Sequence, residues 1–270
     1  MSQPQTFFTD ISSMGRLRVC GPSAADFIRV MTSVDTGRLA TIGSAAPALI
    51  LNAHAEVIDL VIVMRTGNNE YLISTSPATT CEVEEWLRAH SAIADDRGPV
   101  FAGLEVSDES ASLAAVAIHG TEASEILTEL FGSSPDLLLC SSALTTATIG
   151  RLDVMLFAWP LLRSAQPSTQ ADALVASTQP DNARADALVY ELIVPAGALP
   201  ALTDILLGFS ELDPEDFEQY RHRRKAAHTW FLAAEQPGYI KPDTPELVAL
   251  LRPERDFVGA RALAAQNALS

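Results

Sequence analysis

The chain has 270 residues, 48% of them hydrophobic, and its 34 acidic against 18 basic side chains give a formal charge of −16. That length and apolar content suffice for a large core, in one big domain or two intertwined lobes. The acidity repels phosphate backbones and acidic lipid leaflets, which argues against nucleic acid and membrane surfaces as partners.

The opening MSQPQTFFTD has neither the basic nor the apolar region of a secretory signal. Asp59 and Pro160 interrupt the longest apolar runs, which fall short of the roughly 20 residues a spanning helix needs. Cys20, Cys81 and Cys140 fit neither a disulfide framework nor zinc spacing. A cytoplasmic protein is the expectation.

In chain order, Leu17-Arg18-Val19-Cys20-Gly21 reads as a strand closed by a turn glycine. A helix follows, with Ala24, Phe27, Ile28 and Met31 on one face and a capping-box-like pair, Ser23 and Asp26, at its start. Pro47–Asn52, Val57–Met64 and Tyr71–Thr75 read as strands joined by hairpin loops at Ala53–Glu56 and Thr66–Glu70. The next helix carries Val83, Trp86, Leu87 and His90 on one side. The first unit then echoes: Val116-Ala117-Ile118-His119-Gly120 leads into Thr121-Glu122-Ala123-Ser124-Glu125-Ile126-Leu127. Two copies suggest a duplicated α+β architecture; the competing reading is that strand–glycine–helix units are common.

Further strands are expected around Ala143–Ile149, Asp153–Ala158 and Ala187–Val194, with a polar loop near 166–187. Leu199, Leu202, Ile205 and Leu206 mark a helix. Asp213-Pro214-Glu215-Asp216 looks like the start of another, running past Trp230, before a proline-broken return segment from Glu235. The lobes are expected at 1–104, joined by 236–270, and at 105–235.

Two acids stand out because each interrupts an apolar strand, where an unpaired buried charge costs several kcal/mol. Asp59 lies within Val57-Ile58-Asp59-Leu60-Val61 and Glu191 within Tyr190-Glu191-Leu192-Ile193-Val194. Each either faces solvent or meets a cation, donated hydrogen bonds or a ligand amine. Together they suit a nitrogen-rich heterocycle, whose amino-amidine edge donates two parallel hydrogen bonds to a carboxylate. Arg221, His222, Arg223, Arg224 and Lys225 form the dense basic run of this acidic chain, with Arg221, Arg224 and Lys225 on one helix side. It reads either as a solvated face paired with Glu215 and Glu218 or as a pocket for an anionic ligand tail. No phosphate-binding glycine loop, nucleophile elbow or HExxH is present, and His119, beside a turn glycine, reads as structural.

The motifs, in order, resemble the glycine-cleavage T-protein (aminomethyltransferase) family. Asp10-Ile11-Ser12-Ser13-Met14-Gly15 resembles D-V-S-H-M-G, and Leu51-Asn52-Ala53-His54-Ala55-Glu56-Val57-Ile58-Asp59 resembles L-N-x-x-G-G-V-I-D-D. Ala117-Ile118-His119-Gly120 is similar to A-x-Q-G-P, Thr244-Pro245-Glu246-Leu247 to T-P-x-E-A-G-L, and Asp256-Phe257-Val258-Gly259 to D-F-I-G. The chain departs from the pattern at Ser13, Ala55, Glu56 and Leu60, and lacks the glycine-rich run before the pterin-reading acid.

The resemblance implies a duplicated ferredoxin-like folate-binding fold without the C-terminal β-barrel domain, and tetrahydrofolate as cofactor. It assigns Asp59 to the folate nitrogen that takes the one-carbon unit and Glu191 to the pterin. Arg221, or Arg223 if the register slips, would contact folate, with Tyr71 and Asn52 nearby. The implied activity is aminomethyl or methyl transfer, with a lipoyl-carrier or corrinoid protein as partner. The alternatives are a folate-binding or sensing domain without turnover, and a folate-binding subunit of a larger demethylase or oxidase. Asp59 and Glu191 are expected to converge on one cavity.

Overall fold

The computed structural model describes residues 6–132, 146–160, 188–227, 245–251 and 256–267. The first sheet runs β3 (Ala45–Leu51), β4 (Val57–Gly67), β5 (Glu70–Thr75), β2 (Gly15–Cys20), β8 (Glu105–Asp108), in that spatial order. The second runs β10 (Thr146–Ile149), β11 (Leu152–Pro160), β12 (Leu188–Pro195), β9 (Leu113–His119), β1 (Thr6–Asp10), β13 (Leu212–Glu215). A short hairpin, β6 (Ala94–Asp95) with β7 (Gly98–Pro99), stands apart.

The two orders match strand for strand up to β13, so the sequence echo is a structural duplication. The same turn opens each unit: Gly21 and Gly120 take φ of +119° and +125°. The first helical N–H groups return to them, from Ala24 at 3.0 Å and Ala123 at 3.3 Å. Only glycine adopts that backbone without strain. A Cβ on Gly21 would also run into the carbonyl oxygen of Gly103. Gly21→Ala is therefore expected to destabilise the chain by about 2–3 kcal/mol, visible as a lower urea midpoint; an unchanged midpoint would contradict the strained turn.

Three apolar layers separate the elements. Helices α1 (Ala24–Met31) and α2 (Thr80–Ser91) cover the outer face of the first sheet through Phe27, Ile28, Met31, Val83 and Leu87. Helices α3 (Ala123–Phe131) and α4 (Leu199–Leu206) cover the second through Ile126, Leu127, Leu202 and Leu206. The inner faces meet in a shared layer that includes Leu60, Ile62 and Leu72 from one sheet and Ala117, Phe157 and Val189 from the other. Tyr220 of α5 (Phe217–Ala227), Leu247 of α6 (Pro245–Leu250) and Phe257 join that layer. The return segment then touches the first unit, where Val258 N–H donates to Val30 O at 2.9 Å, ahead of α7 (Ala260–Asn267). Both sheets are covered on both faces, which is why their central strands read as near-continuous apolar runs.

Several expectations change. β1 lies in the second sheet, between β9 and β13, and β8 lies at the edge of the first, so each unit lends a strand to the other's sheet across the anticipated boundary at 104. Asp213-Pro214-Glu215 does not open a helix: Leu212–Glu215 pairs in parallel with Thr6–Thr9. Its proline sits on a sheet edge, where a missing N–H is tolerated. The helix starts after Asp216, whose Oδ1 accepts from Gln219 N–H at 2.8 Å. Ser23 does not close a capping box; its hydroxyl donates to Ala102 O at 2.9 Å. The segments 161–187 and 228–244, which hold the expected polar loop and the end of the basic helix, lie outside the described residues.

Candidate functional site

Asp59 is completely buried. Opposite it on β3 stands Ile50, a member of the outer layer beneath α1 and α2, whereas Leu49 faces Leu60 in the inner layer. Asp59 therefore points to the helix side of the first sheet. The register shifts between Ile50 and Leu51, leaving Ile58 as an extra residue on β4, so Ile58 turns to the same outer side as Asp59. Such bulges re-aim side chains. No cation among the described residues pairs with the carboxylate. Instead Oδ1 accepts from Leu60 N–H at 2.8 Å and Ser76 hydroxyl at 2.7 Å, and Oδ2 from Ser76 N–H at 2.8 Å. Burial outweighs these bonds and pushes the carboxyl up to about 6, into the range of a group that exchanges protons near neutrality.

Glu191 faces the other way. It lies between Ala117 on β9 and Phe157 on β11, both in the inner layer. There it meets Arg16 from the opposite sheet, Nη2 to Oε1 at 2.6 Å, with each side chain 2% exposed. Arg16 Nη1 donates to Gly15 O at 3.0 Å and Ser74 Oγ at 2.9 Å, while its Nε is buried with no hydrogen-bond partner among the described residues. The pair bridges the sheets through a layer otherwise built of Leu, Ile, Ala and Phe. Arg16 was not singled out in the sequence, although a cation alternating with Leu17 and Val19 carries the same signal as the two acids.

The remaining predicted positions are dispersed. Tyr71 is buried in the outer layer with Asp59's neighbours, not beside Glu191. Asn52 organises the β3–β4 turn: Oδ1 accepts from His54 and Glu56 N–H at 2.9 and 3.0 Å, and Nδ2 donates to Glu56 at 2.7 Å. Arg221 on α5 lies 3.2 Å from Glu218, one turn back. The side chains of Arg223, Arg224 and Lys225 lie outside the described residues. Glu215, the other acid expected near the basic run, belongs to β13. It is buried beside His119, Nε2 to Oε2 at 3.1 Å, and His119 packs against Phe7 and Tyr220. Asp59 and Glu191 thus occupy different layers, on opposite sides of the first sheet, rather than one shared cavity.

Residues 4–158 match the model of the GCVT N-terminal domain. The chain belongs to that family. An aminomethyltransferase of Chlorobaculum parvum is 24% identical over 260 residues, covering 93% of the chain and 66% of the relative. One of Symbiobacterium thermophilum is 31% identical over 121 residues, covering 45% and 31%. The glycine cleavage system aminomethyltransferase T of Bartonella henselae shares the fold, with a TM-score of 0.65 at 18% identity over 98% of this chain and 64% of that one. The chain thus spans 31% to 66% of the length of these two relatives.

This GCVT member is divergent, and the structure shows what two departures do. Ala55 stands where the motif has a glycine, yet it adopts φ +64°. The turn keeps the left-handed shape while carrying a methyl group, at a cost of about 1–2 kcal/mol. Leu60 stands at the second acid of the motif, and it is this position, not Asp59, that faces the layer holding Glu191. The inner side of β4 is therefore wholly apolar from Val57 through Leu60 and Ile62 to Met64.

Proposed function

We propose that this chain binds a reduced folate in the cytoplasm and serves transfer of a one-carbon unit, aminomethyl or methyl, to or from tetrahydrofolate. The observation that carries the reading is Glu191. The acid that the family resemblance assigns to the pterin stands at the centre of the inter-sheet layer, and Arg16 is the one hydrogen-bond donor it has among the described residues. Its second oxygen is left to accept a ligand N–H, so this end of the site fits a pterin. At 2% exposure Glu191 admits a ligand only after the groups above it move, which makes slow association the expectation. Asp59 supports transfer through its near-neutral titration, and a lipoyl-carrier or corrinoid protein would supply or accept the unit.

A second reading, folate binding without turnover, is favoured by Asp59's surroundings. Its hydrogen-bond donors, Leu60 and Ser76 among them, come from the protein, and it lies on the far side of the sheet from Glu191. The two readings separate in one experiment. Titration with tetrahydrofolate is expected to show micromolar-range binding that largely survives Asp59→Asn, while any transfer activity disappears. Transfer that persists in the variant would remove Asp59 from the chemistry. Absence of folate affinity in the unmutated chain would remove both readings.

A further inference from the structure

We propose that Arg16 is a positioning residue that makes the Glu191 site select an uncharged oxo-pteridine edge and reject a cationic one. The inference rests on Glu191 being the pterin contact. A lone buried carboxylate favours cations: it stabilises a protonated amidine beside it and accepts two parallel N–H groups from it. Glu191 is not alone. Arg16 already takes Oε1 at 2.6 Å and is itself held within its own sheet by Gly15 O and Ser74 Oγ, so it cannot turn away without breaking further bonds. The pair is neutral in sum, inside a layer of Leu60, Leu72, Ala117 and Phe157. A second cation brought there meets the guanidinium at low dielectric and is repelled.

What the pair offers a ligand is one carboxylate oxygen and one buried donor, the Nε of Arg16, that has no partner among the described residues. An acceptor together with a donor complements an edge that carries both an N–H and a carbonyl, as a 2-amino-4-oxopteridine does. A 2,4-diaminopteridine presents amino donors in place of that carbonyl and gains affinity for a carboxylate chiefly by protonating. Arg16 thereby sets both the direction and the charge of what Glu191 reads.

The test compares a 2-amino-4-oxopteridine and a 2,4-diaminopteridine on the full chain at pH 8, reading affinity and the absorption spectrum of the bound diamino compound. The unmutated chain is expected to bind the oxo compound about tenfold or more tightly over the diamino one, and to hold the diamino compound in its neutral spectral form. Arg16→Met is expected to shrink or reverse that preference and to shift the bound diamino compound to its protonated spectrum. Arg16→Lys keeps the charge and is expected to keep the neutral spectrum, which serves if the Met variant fails to fold. A protonated spectrum in the unmutated chain, or a preference unchanged in a folded Arg16→Met, overturns the inference while leaving folate binding intact. Binding of neither compound overturns the inference and the folate reading together.

Discussion

Arg16→Met is expected to destabilise the chain by about 3–5 kcal/mol, while the double variant Arg16→Met/Glu191→Leu recovers most of the loss. The single change leaves the Glu191 carboxylate in an apolar layer without its cation, and it also strips a donor from Ser74 and Gly15. Removing both charges replaces an ion pair by side chains that match the Leu, Ile and Phe around them, which is often neutral for a buried pair. Urea unfolding of the two single variants and the double variant measures the coupling directly. Additive losses would mean that the pair does not hold the sheets together. Because Arg16 and Glu191 come from opposite sheets, a large coupling would also show that the two duplicated units unfold as one.

Asp59→Asn is the second large effect, and its sign depends on pH. Burial raises the folded carboxyl from its ordinary 3.8 to about 6. A raised acid contributes stability in full below the unfolded value and loses it as pH rises through the folded one. For a shift of roughly two units the loss is about 3 kcal/mol, incurred between pH 4 and a little above 6. The amide that replaces the carboxyl does not titrate, so the variant escapes that loss. It incurs a different cost, since the amide nitrogen cannot accept from Ser76 N–H as Oδ2 of Asp59 does at 2.8 Å, at about 1–3 kcal/mol. The variant should therefore be clearly less stable than the unmutated chain at pH 4, and equal or more stable at pH 7.5. A stability difference that stays flat between those pH values would rule out the buried, uncompensated carboxylate.

Much of the candidate site was legible because the physics was local. An acid inside an apolar strand is anomalous wherever the strand ends up, and Asp59 and Glu191 are indeed buried, at 0% and 2%. A glycine between a strand and an amphipathic helix signals a backbone shape rather than a fold, and Gly21 and Gly120 adopt that shape to within a few degrees of each other. What could not be read was direction. Alternation reveals a strand's buried face only when the other face is wet; Val57-Ile58-Asp59-Leu60-Val61-Ile62-Val63 is apolar on both sides and carries an extra residue at Ile58, so nothing in it says whether Asp59 or Leu60 looks inward.

By itself, then, the order of residues determined the duplicated strand–turn–helix units, the presence of two acids inside apolar strands and membership of the GCVT family, all of which rest on neighbours a few positions apart. Only the tertiary structure decided that β1 and β8 cross between sheets, that Leu212–Glu215 is a parallel edge strand, and that Glu191 is answered by Arg16, 175 positions away. The reason is physical: the cation that meets Glu191 in an apolar layer comes from another sheet, and such a partner is specified by packing, not by spacing along the chain.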